Sequence, residues 1–183
     1  MSERASRAAF DLASVRFEHR PLSSLAPRAL FDLLRLRVDV FVVEQACPYP
    51  ELDDHDVDPG TRHVLATLNG RLLGCARTIA PVSAADPARI GRVAVRDGYR
   101  GTGLAQALMR DTLDAIARAH PRHDVILGAQ LRAERLYTAF GFERRSNEYV
   151  EDGIPHVDMI LARGFRPSAC AAGSSPRDTG SSA

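Results

Sequence analysis

Arg100-Gly101-Thr102-Gly103-Leu104-Ala105 is the stretch on which the reading of this chain turns. It follows an apolar run, Ile90 to Val95, and opens a helix-patterned run, Leu104 to Ala119. A strand that turns through glycines into a helix leaves unpaired backbone N–H groups at the positive end of the helix dipole, which suits a phosphate. A phosphorylated cofactor is the first expectation, and a purely structural turn is the plain alternative for a Gly-x-Gly taken alone. Other glycine-rich phosphate sites lack their remaining parts. There is no Gly-x-Gly-x-x-Gly, and no acidic residue closes a second βα strand as a dinucleotide site needs. The chain contains no lysine, which excludes a Walker-type Gly-Lys-Ser/Thr loop and any lysine Schiff base.

Composition narrows the field further. The 183 residues fit one domain with a sizeable core, and a hydrophobic share of 45% is ordinary for a globular chain. A net charge of +1 gives no bulk electrostatic case for nucleic acid or a membrane surface. Cys47, Cys75 and Cys170 are few, scattered and odd in number, which argues against a disulfide framework and fits a reducing cytoplasm. The N-terminus lacks the apolar core of a secretory signal, and no apolar run approaches the roughly 18 residues of a membrane span. Residues 1–14 read as a flexible start. Residues 164–183, rich in Ser, Gly, Ala and Pro, read as a disordered tail after a domain spanning 15–163.

Within that domain, periodicity sets the element order. Val15 to Arg20 alternates as a strand, and Leu30, Leu33, Leu34, Val38 and Phe41 have helical spacing from Pro27 onward. Cys47 to Gly60 reads as a long loop. Asn69-Gly70 joins two apolar runs and predicts a hairpin. A strand at Arg89 to Val95, a helix from Gly103 to His120, a short strand at Asp124 to Gly128 and a short helix from Arg132 to Phe140 follow. Gly141 ends that last helix as a C′ glycine would. Arg144 to Val150 and His156 to Leu161 complete a hairpin around Asp152-Gly153. Hairpins mixed with βαβ crossovers predict an α/β (α+β) fold with a mixed, mostly antiparallel sheet and helices on both faces.

Arg100, Gly103 and Ala105 occupy the fixed places of a Gln/Arg-x-x-Gly-x-Gly/Ala pattern, and Tyr137-Thr138-Ala139-Phe140-Gly141-Phe142 follows one helix and one strand later. Together these resemble motifs A and B of the GNAT superfamily of acyl-CoA-dependent N-acyltransferases. The segments Leu36 to Gln45, Cys47-Pro48-Tyr49, Leu127 to Gln130 and Glu151 to His156 resemble its ElaA-like branch, over about residues 17–162. The resemblance implies an N-acetyltransferase that uses acetyl-CoA as co-substrate and no metal, with a small-molecule or peptide amine as acceptor. A homodimer is compatible with the family. It also implies that Gly101, Thr102, Gly103, Leu104 and Ala105, with Arg100, hold the coenzyme pyrophosphate, and that Val93, Ala94 and Val95 offer backbone groups to the pantetheine arm.

Roles follow from the chemistry. An amine attacks a thioester, an oxyanion forms, and a thiolate leaves, so the site must position, accept one proton and donate to sulfur. Tyr137 matches the motif B tyrosine implied as general acid, and packing on cofactor or core is its alternative role. Glu44 and His156 are candidate bases, with His63 third; a free amine losing its proton through water would need none. The strand before motif A carries Gly91 and Arg92 where several GNAT enzymes carry a glutamate. Arg37, Arg77 and Arg92, with Gln45 and Gln130, are expected to line the acceptor cleft. An exposed ion-paired face is the alternative for the arginines, and Arg96 joins Arg100 as a candidate for coenzyme phosphates.

Asp53, Asp54, Asp56 and Asp58 make an acidic loop, but a calcium-binding reading fails because its glycine comes one residue late and Leu65 stands at the last ligand position. A solvated turn is expected, with attraction of a cationic amine as its functional alternative. Cys75 reads as core. Two rival functions stay open. One is an acyltransferase like the acyl-homoserine-lactone synthases, which usually carry a tryptophan that this chain lacks; the other is a catalytically silent acyl-CoA-binding module.

Overall fold

Asn69 and Gly70 both take positive φ, 50° and 76°, the backbone that closes a two-residue hairpin between β2 (Thr61–Leu68) and β3 (Arg71–Ile79). The computed structural model of the chain describes residues 10–162. The tail from residue 164, Cys170 and most of the expected flexible start lie outside them. Residues 10–14, assigned to that start, are instead part of the domain. Asp11 caps a 3-10 turn at Leu12–Ser14, and Phe10 meets Tyr99 edge-on at 5.5 Å.

Around the hairpin lie β1 (Arg16–Arg20), β4 (Ala88–Val95), β5 (Val125–Gln130), β6 (Glu143–Arg144), β7 (Tyr149–Glu151) and β8 (Ile154–Leu161). One eight-stranded sheet results, in the order β1-β2-β3-β4-β5-β8-β6 with β7 on β8. Every pairing is antiparallel except β4 with β5. The mixed, mostly antiparallel sheet expected from the sequence is present. The last hairpin differs from expectation because its first arm is broken into β6 and β7. Between them the Asp158 N–H donates to the Ser146 hydroxyl at 2.9 Å, and a side chain thus takes the place of a ladder partner.

The two faces of the sheet receive different helices. Leu65 of β2 and Cys75 of β3 pack with Leu33 and Leu36 of α1 (Pro27–Arg37). Val64, Ala66, Leu73 and Ala76 point the other way, onto Leu104 and Leu108 of α2 (Leu104–Ala119). Val125, Leu127, Ala129, Val157 and Met159 share the α2 face and also cover Tyr137 of α3 (Glu134–Thr138). The sheet thus carries α1 on one face and α2 with α3 on the other. No described helix is long and apolar enough to cross a membrane. The helix expected to run on toward Phe41 does continue, but as a π-helical stretch at Val38–Val43.

Two irregularities of β4 shape the middle of the sheet. Its parallel pairing with β5 comprises only Ala88↔Val125 and Arg89↔Ile126, so beyond them the two strands have no common ladder. Against β3, Cys75 faces Ala94 and Arg77 faces Gly91, which leaves one extra residue on β4, and Arg92 there takes a φ of 53°. Such a bulge reverses alternation. Ile90 and Val95 lie on the α2 face, whereas Ala94 has turned to the α1 face.

A buried ion network fills the α1 face beside that bulge. Arg37, fully buried, donates to Glu51 Oε1 at 2.5 Å and to Asp56 Oδ1 at 2.7 Å. Arg77 donates to Asp53 Oδ1 at 2.6 Å and to Asp56 Oδ1 at 2.7 Å. Arg92 reaches Asp53 Oδ2 at 2.9 Å and Glu51 Oε2 at 2.9 Å, and Tyr49 donates to the same Glu51 oxygen. Three guanidiniums thus meet three carboxylates. The acidic loop is not the solvated turn expected of it. Arg37 and Arg77 do not line an open cleft or an exposed face, since their donors are directed at Asp53, Asp56 and Glu51, and Arg92 is held at the edge of the same cluster. Burial opposes ionisation of Asp56, but the hydrogen bonds from Arg37 and Arg77 outweigh it and hold that carboxyl well below the usual range.

Removing one member should leave buried charge uncompensated. Arg37→Met is expected to lower the unfolding free energy by about 3–5 kcal/mol, read by urea denaturation at neutral pH. The acid limb follows from linkage. A carboxyl with a lowered native pKa adds stability that is present above its unfolded value of about 3.9 and lost as pH falls through the native value. Asp56→Asn should therefore be less stable than the parent at pH 7 and lose less stability between pH 5 and pH 2, as followed by urea midpoints.

Candidate functional site

The turn before α2 is built by three left-handed glycines, with φ of 83° at Gly98, 74° at Gly101 and 86° at Gly103. Gly103 is the N-cap of α2, and no side chain caps that end. The first bond back along the chain runs from the Ala107 N–H to the Gly103 carbonyl at 3.0 Å. The N–H groups of Leu104, Ala105 and Gln106 therefore precede the first bond within the helix. A Cβ built on Gly101 would meet nothing within 4 Å, so the turn presents bare backbone to open space. Thr102 turns its hydroxyl inward, donating to the Tyr99 carbonyl at 2.6 Å. The arrangement fits an anion held by backbone.

Val93, Ala94 and Val95 follow the bulge on the part of β4 that β5 no longer pairs. Their β5-facing edge is therefore open beside the glycine turn. Arg100 lies where the turn begins, but its Nη2 donates to Glu44 Oε2 at 2.5 Å and its Nε to the Val95 carbonyl at 3.0 Å. Glu44, a candidate base, is thus joined to a candidate phosphate ligand.

Tyr137 is buried on the α2–α3 face, edge-on to Phe142 with ring centroids 6.1 Å apart. Its hydroxyl carries no hydrogen bond among the described residues. Burial pushes its pKa up to about 12, so it is a protonated phenol at neutral pH. Gly141, at φ 86°, ends the segment, and the Phe142 N–H returns to the Tyr137 carbonyl at 3.3 Å.

The opposite face carries a second group. His156 stands directly across from Gln130 in the β5–β8 register and from Tyr149 in the β7–β8 register. Val157 and Met159 point to the α2–α3 face, so His156 and Asp158 point to the α1 face. The His156 Nδ1 lies 2.8 Å from the Ile154 carbonyl, which can only accept, so Nδ1 bears the proton and Nε2 keeps a lone pair in the neutral ring. The ring stacks on Tyr149 at 5.9 Å, and Tyr149 donates to Asp158 Oδ1 at 2.9 Å. Gln130 donates to Gln45 Oε1 at 2.8 Å, bringing together two residues expected to meet the acceptor. His63, the third base candidate, is fully buried; its Nε2 donates to the Asp56 carbonyl at 3.0 Å, and burial lowers its pKa.

From the sequence alone Tyr149 and Asp158 have no assigned role, and Gly128 enters only as part of the Leu127 to Gln130 segment. Gly128 lies between the other two: a Cβ there would stand 3.3 Å from the Tyr149 hydroxyl and 3.9 Å from Asp158 Oδ1. Alternation along β8 from His156 would have found Asp158. Tyr149 needs the β7–β8 register, which the broken hairpin hides. Cys75 is core as expected, with burial pushing its thiol up to about 12. Among the described residues no group of three His, Cys, Asp or Glu is gathered as a metal would need.

Known proteins share this architecture. A family model described as an acetyltransferase (GNAT) domain matches residues 35–163. Protein ElaA of Escherichia coli strain K12 is 41% identical over 137 residues, covering 75% of this chain and 90% of that protein. The crystal structure of an acyl-CoA N-acyltransferase from Pseudomonas aeruginosa superposes with a TM-score of 0.76 at 38% identity, covering 81% of this chain and 100% of that one. The crystal structure of Escherichia coli ElaA does so with a TM-score of 0.75 at 38% identity, over 80% of this chain and 98% of its own.

Proposed function

Because this chain belongs to the GNAT family of acetyltransferases, we propose that it moves an acetyl group from acetyl-CoA to a primary amine by direct attack. The observation that carries this reading is the placement of two groups on opposite faces of the sheet. The unbonded phenol of Tyr137 lies on the α2–α3 face, and His156, with Nε2 left as acceptor, lies on the α1 face, across from the end of β5 that β4 no longer pairs. Direct transfer needs a proton acceptor on the amine's side and a donor on the sulfur's side.

In this scheme the uncapped N–H groups of α2 hold the pyrophosphate, and the open edge of Val93 to Val95 pairs with the pantetheine amides. The amine enters on the α1 face, near Gln45 and Gln130. His156 Nε2 takes its proton as the N–C bond forms. The C–S bond then breaks, and Tyr137 donates its hydrogen to the departing thiolate. Glu44 acts by holding Arg100 at the mouth of the turn. Arg37 and Arg77 act by supporting β4 rather than by touching acceptor. No covalent enzyme intermediate is needed.

A screen of primary amines with acetyl-CoA, scored by free thiol, tests the activity. Coenzyme binding without thiol release across small amines and peptide N-termini would make the chain a binding module, and faster release from long acyl thioesters would favour the acyl-homoserine-lactone-synthase-like reading. Gly103→Val should weaken acetyl-CoA binding at least tenfold by calorimetry while the far-ultraviolet dichroism stays that of the parent, because a β-branched residue cannot hold a φ of 86° without strain. Tyr137→Phe and His156→Gln should each lower kcat by about 100-fold and leave acetyl-CoA affinity within about twofold. Added imidazole should restore part of the activity in His156→Gln alone; parent-like kcat in either variant would remove that residue from its role.

A further inference from the structure

A second anion-sized feature lies where α1 meets the Asn69-Gly70 turn. Arg28 and Arg35 of α1, Arg71 at the Asn69-Gly70 turn and Arg96 just after β4 surround an open groove of about 660 Å³. Asp32 is the one acidic residue in its lining, so the groove carries a net three positive charges in a chain whose total is +1. Asp32 engages Arg28 at 2.9 Å, and Arg35 has only a loose contact with Asp39 at 3.7 Å. The Arg96 side chain donates Nε–H to the Leu72 carbonyl at 3.2 Å, while its backbone bonds to Leu73 and Tyr99.

Two of these guanidiniums rest on aromatic rings. Arg28 lies 5.9 Å from the Phe31 centroid and Arg71 5.7 Å from that of Tyr99. Such contacts restrict long side chains before any ligand arrives and reduce the entropy lost on binding. Planar guanidiniums are suited to bidentate contact with phosphate oxygens. The four come from three separate segments around a space larger than one phosphate, which calls for several linked anionic groups. Arg28 and Arg35 lie on α1, on the sheet face opposite α2, whereas Arg71 and Arg96 border the glycine turn, so the groove runs from that turn onto the opposite face.

We propose that this groove binds a ligand carrying two or more linked phosphate groups, at a site separate from that of the coenzyme. Inorganic tripolyphosphate is the probe, titrated calorimetrically into the full chain at 0.15 M salt (about an 8 Å screening length), with and without saturating coenzyme A. One tripolyphosphate site is expected, with the same affinity in both titrations. The double variant Arg28→Gln/Arg35→Gln should weaken it at least tenfold and keep coenzyme A affinity within twofold, with unchanged far-ultraviolet dichroism. Absence of binding, or parent-like tripolyphosphate affinity in the double variant, would overturn the proposal. So would displacement by coenzyme A, or a parallel loss of coenzyme A affinity, since either would assign the groove to the coenzyme's own phosphates.

Discussion

The site rests on the contact between Arg92 and the carboxylates of Glu51 and Asp53. A non-glycine residue at a φ of 53° is a strained backbone, and it persists only where its surroundings hold it. Here the loop from Tyr49 to Asp56 supplies that hold, and Arg37 and Arg77 secure the loop in turn. The bulge then reverses the alternation of β4, so that Ile90 and Val95 both reach the α2 core although they stand five positions apart. Beyond Arg89 the strand leaves its parallel neighbour. A charged loop far along the sequence thereby sets the edge that lies beside the glycine turn.

The division of the sheet into two chemically different faces follows from the same geometry. Alternation on β5 and β8 sends Leu127, Ala129, Val157 and Met159 to an apolar side that encloses Tyr137. Their neighbours Gln130, His156 and Asp158 go to a side furnished with hydrogen-bonding groups. The apolar surroundings raise the pKa of the phenol, while the Ile154 carbonyl fixes which imidazole nitrogen is bare. Neither effect needs a bound ligand.

Much of this was legible in the sequence because it is local. Asn69-Gly70 requires a tight hairpin, Gly103 marks the start of α2, and Gly141 closes the segment after Tyr137; each is a backbone demand that one or two residues express. The ion network was not legible. Arg37, Glu51, Asp56 and Arg77 are separated along the chain, and acidic residues between prolines look the same whether they face water or a buried guanidinium. The pairing of Arg100 with Glu44 was hidden for the same reason, as it spans 56 positions. Bulges are equally opaque, because Gly91-Arg92-Val93 alternates no differently from a regular strand until the register with β3 is known.

The absence of lysine, used above to exclude two kinds of site, acquires a second chemical meaning beside that network. A thioester acylates free amines, and a buried ε-amine that loses its proton is a nucleophile. Guanidinium groups stay protonated and do not react in this way. Every cation that supports β4 in this protein is therefore inert toward the kind of reagent its family handles. The arginine ion pairs that hold β4 are thus not open to acylation by a thioester, and the charge balance of that network does not depend on exposure to one.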